Sequence, residues 1–408
     1  MKRAAILIID GLGDLPHPEL AGRTPLEAAR TPNMDYMATT GSLGLVDPVA
    51  PGVVPNTDSG TALLMGLPMA EVSRLRRGAI EAAGVGRSLR PGEIALRANF
   101  ASVVGSQGQL MVVDRRAGRI RHGLEQLARE LNGTDLGNGF TAELVSTEQH
   151  RGVLILAGGQ LEPSISDTDP GDTVLPAPLP WSRALAPRAE GSAAALNRFI
   201  RHSHDVLSNH PVNVERARAG KKPANIVITR GAGSAIGVSN QVSRQGIHAA
   251  VISGCNTVRG LGRLLGFDLF DDDAFTAGLD TDLDGKVRAA ISALDTHDVA
   301  YIQIKAADIC AHDRKPLQKQ AFIERIDTAI GPLLEQDIVV AVTADHTTDS
   351  NSGYHTSDPV PALIFDSSAV PGQSVAVKFG ESACRNGNLP RQNAEQFLRR
   401  VLAGVSGM

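Results

Sequence analysis

DIVVAVTADH, residues 337–346, is a near-continuous apolar run that ends in an adjacent carboxylate and imidazole, Asp345 and His346. Two other segments repeat the pattern: AAILIID at 4–10 closes on Asp10, and VAYIQIKAAD at 299–308 closes on Asp308. Runs this short and this apolar are how strands buried on both faces of a parallel sheet look. Ligands of such sheets gather just beyond the carboxyl ends of the strands. HAAVISG at 248–254 adds another strand-like run, and KPLQKQAFIERIDTAIGPLLE at 315–335 is helix-like. The alternation predicts an α/β fold with a mostly parallel sheet flanked by helices.

Those strand ends carry chemistry. Asp10, Asp308 with His312, Asp345 with His346, and His355 mix carboxylate oxygen and imidazole nitrogen with no thiolate. That set suits Mn, Zn, Co or Mg rather than a structural zinc knot. A pair of such ions clamps the attacking and leaving oxygens of an in-line displacement, and lowers the pKa of a coordinated hydroxyl enough to make it a nucleophile. The turn PNTDSGT at 55–61 supplies the hydroxyl, Thr57, with Ser59 as an alternative two residues on. Each piece alone also has a plain reading. An Asp after a strand often caps the next helix, and a single His is more often a satisfied core or surface group.

The middle of the chain differs in character. Residues 86–230 hold short strand-like runs (LMVVD, RGVLILAGG), a Pro-rich loop at 174–188 and a helical stretch, AAALNRFIRHSHDVL. This predicts a smaller α+β domain, 86–230, inserted into a core formed by 1–85 and 231–408. It carries Arg115, Arg116 and Arg119 in DRRAGR, Arg151 in QHRG and Arg230 in TRGAG. Guanidinium forks bind phosphate and carboxylate in two-point fashion, so the set fits a small phosphorylated acid, although a solvated charged surface has the same composition. Asp167 and Asp169 in SDTDP would orient these arginines or bond substrate hydroxyls, though Asp-Pro is also a turn signal.

Composition narrows the classes. With 408 residues and 42% apolar content the chain can build two real cores and is not mainly disordered. A net charge of -4 and 3% aromatic residues offer neither a pervasive basic surface nor stacking platforms for nucleic acid. No run reaches the roughly 18 to 20 apolar residues of a membrane span. The apolar stretch of MKRAAILIIDGLGD stops at Asp10 with no cleavage site after it, so no signal peptide is expected. Cys255, Cys310 and Cys384 lie far apart without CxxC spacing, which points away from disulfides and toward the reducing cytoplasm.

Several stretches in one order give the chain a family likeness: IIDGLGDLP at 8–16, GRTPLEAARTPNMD at 22–35, GLVDPVAPGVVPNTDSG at 44–60, ALRANFASV at 95–103, VDRRAGRI at 113–120, SISDTDP at 164–170, KPANIVITRGAG at 222–233, KAADICAHD at 305–313 and TADHTTDSNSGYHTSDPVPALI at 343–364. With these the chain resembles the archaeal-type branch of the cofactor-independent phosphoglycerate mutases, within the alkaline phosphatase superfamily, nearly end to end. The resemblance implies an alkaline-phosphatase-like core and two divalent ions with no organic cofactor. It places one ion on Asp308, His312 and His355, and the other on Asp10, Thr57, Asp345 and His346. It further implies a phosphoenzyme on Thr57, with the glycerate held by the inserted domain while it reorients, in a site closed to water.

The chain also departs from that pattern. Thr57 stands for the family's Ser, Thr61 for its His, and Arg259 in NTVRGLGRLLG for its Lys, while RLRRGAIEAAG at 74–84 lacks the proline expected after Arg-Gly. Three functions follow as expectations: a phosphoglycerate mutase, a related transferase or hydrolase acting on another small phosphorylated or phosphonylated acid, and a non-catalytic binding protein on the same fold. The sequence is silent on the metal loaded and on oligomeric state.

Overall fold

The computed structural model describes residues 2–105, 109–171, 173–368 and 377–406. The chain forms two compact units, Met1–Ser73 with Val238–Met408, and Arg74–Gly237. These limits differ from the sequence-based 85/86 and 230/231 for a physical reason. The Arg77–Gly84 helix packs on the Ile94–Val104 and Ile226–Ser234 strands, and the latter continues past residue 231 as one unbroken strand. Both segments therefore belong to the inserted unit.

The first unit is built on an eight-stranded sheet. Its order is Asp268–Leu269, Ala249–Ile252, Val299–Ile304, Arg3–Ile9, Ile338–Thr343, Val360–Asp366, Ser42–Asp47 and Gln392–Asn393. The first five strands run parallel, Val360–Asp366 is antiparallel to both neighbours, and Gln392–Asn393 is again parallel to Ser42–Asp47. Val299–Ile304 and Ile338–Thr343 are buried at every position, and Arg3–Ile9 at all but its first, as expected for strands covered on both faces. Helices Asn256–Leu264, Leu283–Ala293 and Ala394–Ser406 pack on these strands. The expected mostly parallel α/β sheet is what this unit contains.

Register is what positions the site. Ile9 lies beside Ile304 and Ile8 beside Thr343, so the three central strands end at one level. Asp10, Lys305 and Ala344 are the next residues out, with Asp345 one further, and Asp10 N still donates to Ile304 O at 2.9 Å. A buried network braces the loops beyond. Lys319 Nζ lies 2.7 Å from Asp14 Oδ2, Ser350 N donates to Asp14 Oδ1 at 2.9 Å, and Asp14 N donates to Glu381 Oε1 at 3.2 Å. Burial pushes the Glu381 carboxyl up to about 7.

The inserted unit carries an antiparallel sheet of seven strands, ordered Thr134–Gly137, Phe140–Ser146, Arg151–Ala157, Ile94–Val104, Met111–Asp114 and Ala177–Pro178, with Ile226–Ser234 also pairing to Ile94–Val104. Helix Glu190–Ser208 buries Ala193, Leu196, Ile200 and Leu207, a helical spacing that seats it against Phe100, Ile226 and Ile228. A second, smaller cluster of Ala82, Ala95, Val153 and Ile155 lies where the Arg77–Gly84 helix packs. Among the described residues no helix is long and apolar enough to cross a membrane.

One close approach controls the site. The Thr57–Leu64 helix crosses so near the end of the Ile338–Thr343 strand that a Cβ at Gly60 would stand 2.0 Å from Asp345 O. Gly60→Ala must push this helix away, and overpacking of this kind costs about 1–3 kcal/mol. Urea unfolding should show the lowered midpoint, whereas an unchanged midpoint would mean that the contact relaxes freely.

Candidate functional site

The residues singled out at the strand ends converge in the first unit. Asp10, Asp308, Asp345 and His346 are buried, and Thr57 is 7% exposed. Thr57 does not sit in an open turn as expected. It is the first residue of the Thr57–Leu64 helix, started by Asn56 at the N-cap with Ser59 completing a capping box. Its Oγ1 lies 3.4 Å from His346 Nε2. Ser59 is used elsewhere, its hydroxyl donating to Asn56 O at 3.1 Å and accepting from Asn56 N at 3.0 Å.

Two ligand groups satisfy metal-binding spacing. Asp308, His312 and His355 form one, Asp10, Asp308 and His346 the other, with donor atoms in each within 4.8 Å of one another. Asp308 therefore reaches both groups. Asp345 is held by protein donors, Gly11 N at 3.2 Å on Oδ1 and Thr61 Oγ1 at 3.3 Å on Oδ2. The imidazoles are aimed. His312 Nδ1 lies 2.7 Å from Gly353 O and His355 Nδ1 3.0 Å from Pro55 O, contacts that require the proton on Nδ1. In the neutral rings the Nε2 lone pairs then face each other at 3.2 Å, beside Asp308 Oδ1 at 3.3 and 3.6 Å. Lone pairs and a carboxylate converging in this way suit a divalent cation, and the carbonyl partners are the second shell that metal-ligating histidines use.

Three buried carboxylates need compensation. Burial alone raises the Asp10 and Asp308 carboxyls, but the Lys305 ammonium and the nearby imidazoles outweigh it, leaving Asp10 below and Asp308 well below the ordinary range. At Asp345 that compensation does not overcome burial. Burial, reinforced by the Asp10 charge, pushes it up to about 6, while Asp345 and Asp10 overcome burial at His346 and raise it to about 8. Burial dominates at His312 and lowers it.

Lys305, Gln303 and Thr348 belong to this site, and sequence reasoning passed over all three. Lys305 Nζ lies 2.7 Å from Asp10 Oδ1, 2.7 Å from Asp308 Oδ2 and 3.2 Å from Thr57 Oγ1. Gln303 Nε2 donates to Asp10 Oδ2 at 2.9 Å, and Thr348 Oγ1 donates to Asp308 Oδ1 at 2.8 Å and lies 3.0 Å from His346 Nδ1. Their signal was alternation: Gln303 and Lys305 are polar residues inside an apolar run that stops at a ligand. Arg259 sits on the helix that packs against Thr57–Leu64, with its Nε buried and without a hydrogen-bond partner among the described residues. Its Nη2 pairs with Asp271 Oδ2 at 2.8 Å on the Asn256–Leu264 helix.

The inserted unit has its own charged site. Arg97 faces Arg230 across one strand pair, and Asn99 faces Arg151 across another. Arg115 is paired with Asp169, its Nη2 2.9 Å from Oδ2, and Asn99 Nδ2 donates to the same oxygen at 3.3 Å. Asp167 Oδ1 accepts from Gly231 N at 2.8 Å. Arg116 is exposed and Arg119 half-buried in the loop that follows. Arg97 and His150, both missed from the sequence although they lie inside ALRANFASV and beside Arg151, are buried at the centre. Burial and the charges of Arg151, Arg97, Arg116 and Arg119 drive His150 down to about 2. Burial and neighbouring guanidiniums also lower Arg97 and Arg230, more than Glu81 or Asp169 offset. Arg97 Nε, Arg151 Nε and His150 Nδ1 are buried without a hydrogen-bond partner among the described residues. Buried cations that outnumber the carboxylates paired with them, as Arg97 is with Glu81 at 3.6 Å, suit an anion bearing more than one charge.

The chain has close known counterparts. Residues 38–213 match the family model described as 2,3-bisphosphoglycerate-independent phosphoglycerate mutase. A Methanopyrus kandleri protein of that name is 42% identical over 90% of this chain and 88% of its own length. A Methanothermobacter thermautotrophicus protein called 2,3-bisphosphoglycerate-independent phosphoglycerate mutase 1 is 39% identical over 98% and 97%. Among solved structures, the Thermoplasma acidophilum cofactor-independent phosphoglycerate mutase aligns with a TM-score of 0.64 at 30% identity over 99% of this chain and 100% of its own, and a Pyrococcus horikoshii protein with 0.79 at 28% over 100% and 98%. The chain belongs to the 2,3-bisphosphoglycerate-independent phosphoglycerate mutase family.

Proposed function

We propose that this protein interconverts 2- and 3-phosphoglycerate by metal-dependent phosphoryl transfer through Thr57, without free bisphosphoglycerate. The observation that carries the reading is the placement of the Thr57 hydroxyl among the ligands, 3.4 Å from His346 Nε2 and 3.2 Å from Lys305 Nζ. Asp308, His312 and His355 would hold one divalent ion, and Asp10, Thr57, Asp345 and His346 the other, drawn from Mn, Zn, Co or Mg. When bound, the ions would lower the proton affinity of the hydroxyl and neutralise charge on the transferring group.

Thr57 Oγ1 attacks phosphorus while the bond from phosphorus to the glycerate oxygen breaks. The hydroxyl proton ends on that glycerate oxygen. Attack on phosphothreonine by the other glycerate hydroxyl then restores Thr57. Gln303 and Thr348 fix the carboxylates through the steps, and the arginine site of the inserted unit, with Arg97, Arg151 and Arg230 at its centre, binds the anionic groups of the acid. Both rest on general chemistry as well as family membership. Ser59 is disfavoured as nucleophile because its hydroxyl already serves the helix cap.

A second reading is favoured by three departures. Thr57 carries an added methyl, Thr61 donates to Asp345, and Arg259 is bound to Asp271. With the reaction centre altered and the ligands kept, a paralogue acting as transferase or hydrolase on another small phosphorylated or phosphonylated acid would retain the same first step.

EDTA should abolish turnover of 3-phosphoglycerate until Mn, Co, Zn or Mg is restored, and full activity after verified metal removal would contradict the reading. Thr57→Ala should lose about 10⁴-fold or more in kcat while Thr57→Ser stays active, because a nucleophile is not replaced by its neighbours. Phosphopeptide mapping that places the phosphate on Ser59 would overturn the assignment. In the inserted unit, Arg97→Met should raise KM for phosphoglycerate by about 10- to 100-fold, as expected for losing a charge-assisted contact. An unchanged KM would remove that unit's cluster from substrate binding.

A further inference from the structure

We propose that Lys305 is a catalytic residue that donates to Thr57 Oγ1 in both half-reactions, first to the attacking oxygen and then to the same oxygen as leaving group. The inference rests on the reading of Thr57 as nucleophile and goes beyond it.

The geometry is that of a fully engaged ammonium. Lysine has three N–H donors, and Nζ has three acceptors at hydrogen-bond distance: Asp10 Oδ1 at 2.7 Å, Asp308 Oδ2 at 2.7 Å and Thr57 Oγ1 at 3.2 Å. The two carboxylates are buried and aim the third N–H. The side chain has little freedom to point elsewhere, because Lys305 follows directly on the buried Val299–Ile304 strand and precedes the Ala306–His312 helix that carries Asp308. A Thr57 oxygen that accepts from Lys305 turns its own proton away from the ammonium, and His346 Nε2 lies 3.4 Å off.

The charge sits where negative charge grows. As Thr57 Oγ1 loses its proton and bonds to phosphorus, the donor stabilises the oxygen. When phosphorus is next attacked by a glycerate hydroxyl, the bond from phosphorus to Oγ1 breaks, the electron pair returns to Oγ1, and the proton of the attacking hydroxyl restores the threonine. The same N–H meets the same developing charge in both directions, and it does so without moving. Such a preorganised donor in a water-poor site is worth about 10²–10³ in rate.

The test uses the full chain, Lys305→Met and Lys305→Arg, each assayed at saturating Mn with metal content measured by mass spectrometry. Rapid quench with ³²P-labelled 3-phosphoglycerate reads the rate of Thr57 phosphorylation and the rate of its discharge to glycerate. For Lys305→Met the expectation is both rates slowed by about a hundredfold, with KM within threefold of wild type and metal content unchanged. Wild-type rates at saturating Mn would overturn the proposal, because Lys305 would then act only on the ligands. If the Met variant does not fold, Lys305→Arg decides. It keeps the charge but not the three-point fit, so rates lowered tenfold or more at full metal content support the proposal and wild-type rates overturn it. Failure of the underlying reading looks different: wild-type protein quenched in turnover would then carry no phosphate on Thr57.

Discussion

Three parallel strands that end at the same level are the constraint on which the site depends. The pairing of Ile9 with Ile304 and of Ile8 with Thr343 brings the chain out of the sheet three times within one small volume. Each exit carries ionisable groups: Asp10 from the first, Lys305 with Asp308 from the second, Asp345 with His346 from the third. A one-residue slip of any strand would turn those side chains to the opposite face. The apolar strands thus act as a ruler, and burial, which raises every carboxyl it covers, obliges the site to hold cations. Lys305 supplies one from the protein, and the geometry of the histidines suits divalent ions for the rest.

The loops beyond the strands are held by a further set of buried charges. Lys319 lies 2.7 Å from Asp14 and Asp14 receives Ser350 N, so the segment after Asp10 and the segment after His346 are tied to each other. Gly60 lets the Thr57–Leu64 helix approach Asp345 O more closely than any side chain would permit. Thr57 is thereby fixed from the sheet side, while Gln303 and Thr348 fix the carboxylates. Threonine for serine at position 57 keeps a hydroxyl and adds a methyl, and Thr61 places a hydroxyl on Asp345.

Much of this was legible in the sequence because its signals were local. Apolar runs of six or seven residues closing on Asp10, Asp308 and Asp345 predicted parallel strands, and the strands are present with Asp10, Asp308 and His346 gathered beyond their ends. The histidines and Thr57 followed from chemistry and from the family likeness. Less legible were effects set by tertiary contact. Lys305 and Gln303 read as polar interruptions of a strand, since nothing in sequence says that both side chains turn toward Asp10. Arg97 and His150 read as parts of a strand and a turn, and only the pairing of Ile94–Val104 with its two neighbours gathers them with Arg151 and Arg230. Arg259 read as a residue of the reaction centre from its place in a motif, and its pair with Asp271 was not legible. Domain limits were displaced because helix and strand ends are decided by packing partners far away in sequence.

The central proposal is that the strand ends build two adjacent cation sites. Anomalous diffraction from crystals of the full chain equilibrated with Mn tests it most directly. The account predicts two Mn peaks, one among Asp308, His312 and His355 and one among Asp10, Asp345 and His346 beside Thr57 Oγ1. A single peak, or peaks whose nearest donors lie outside these residues, would contradict it.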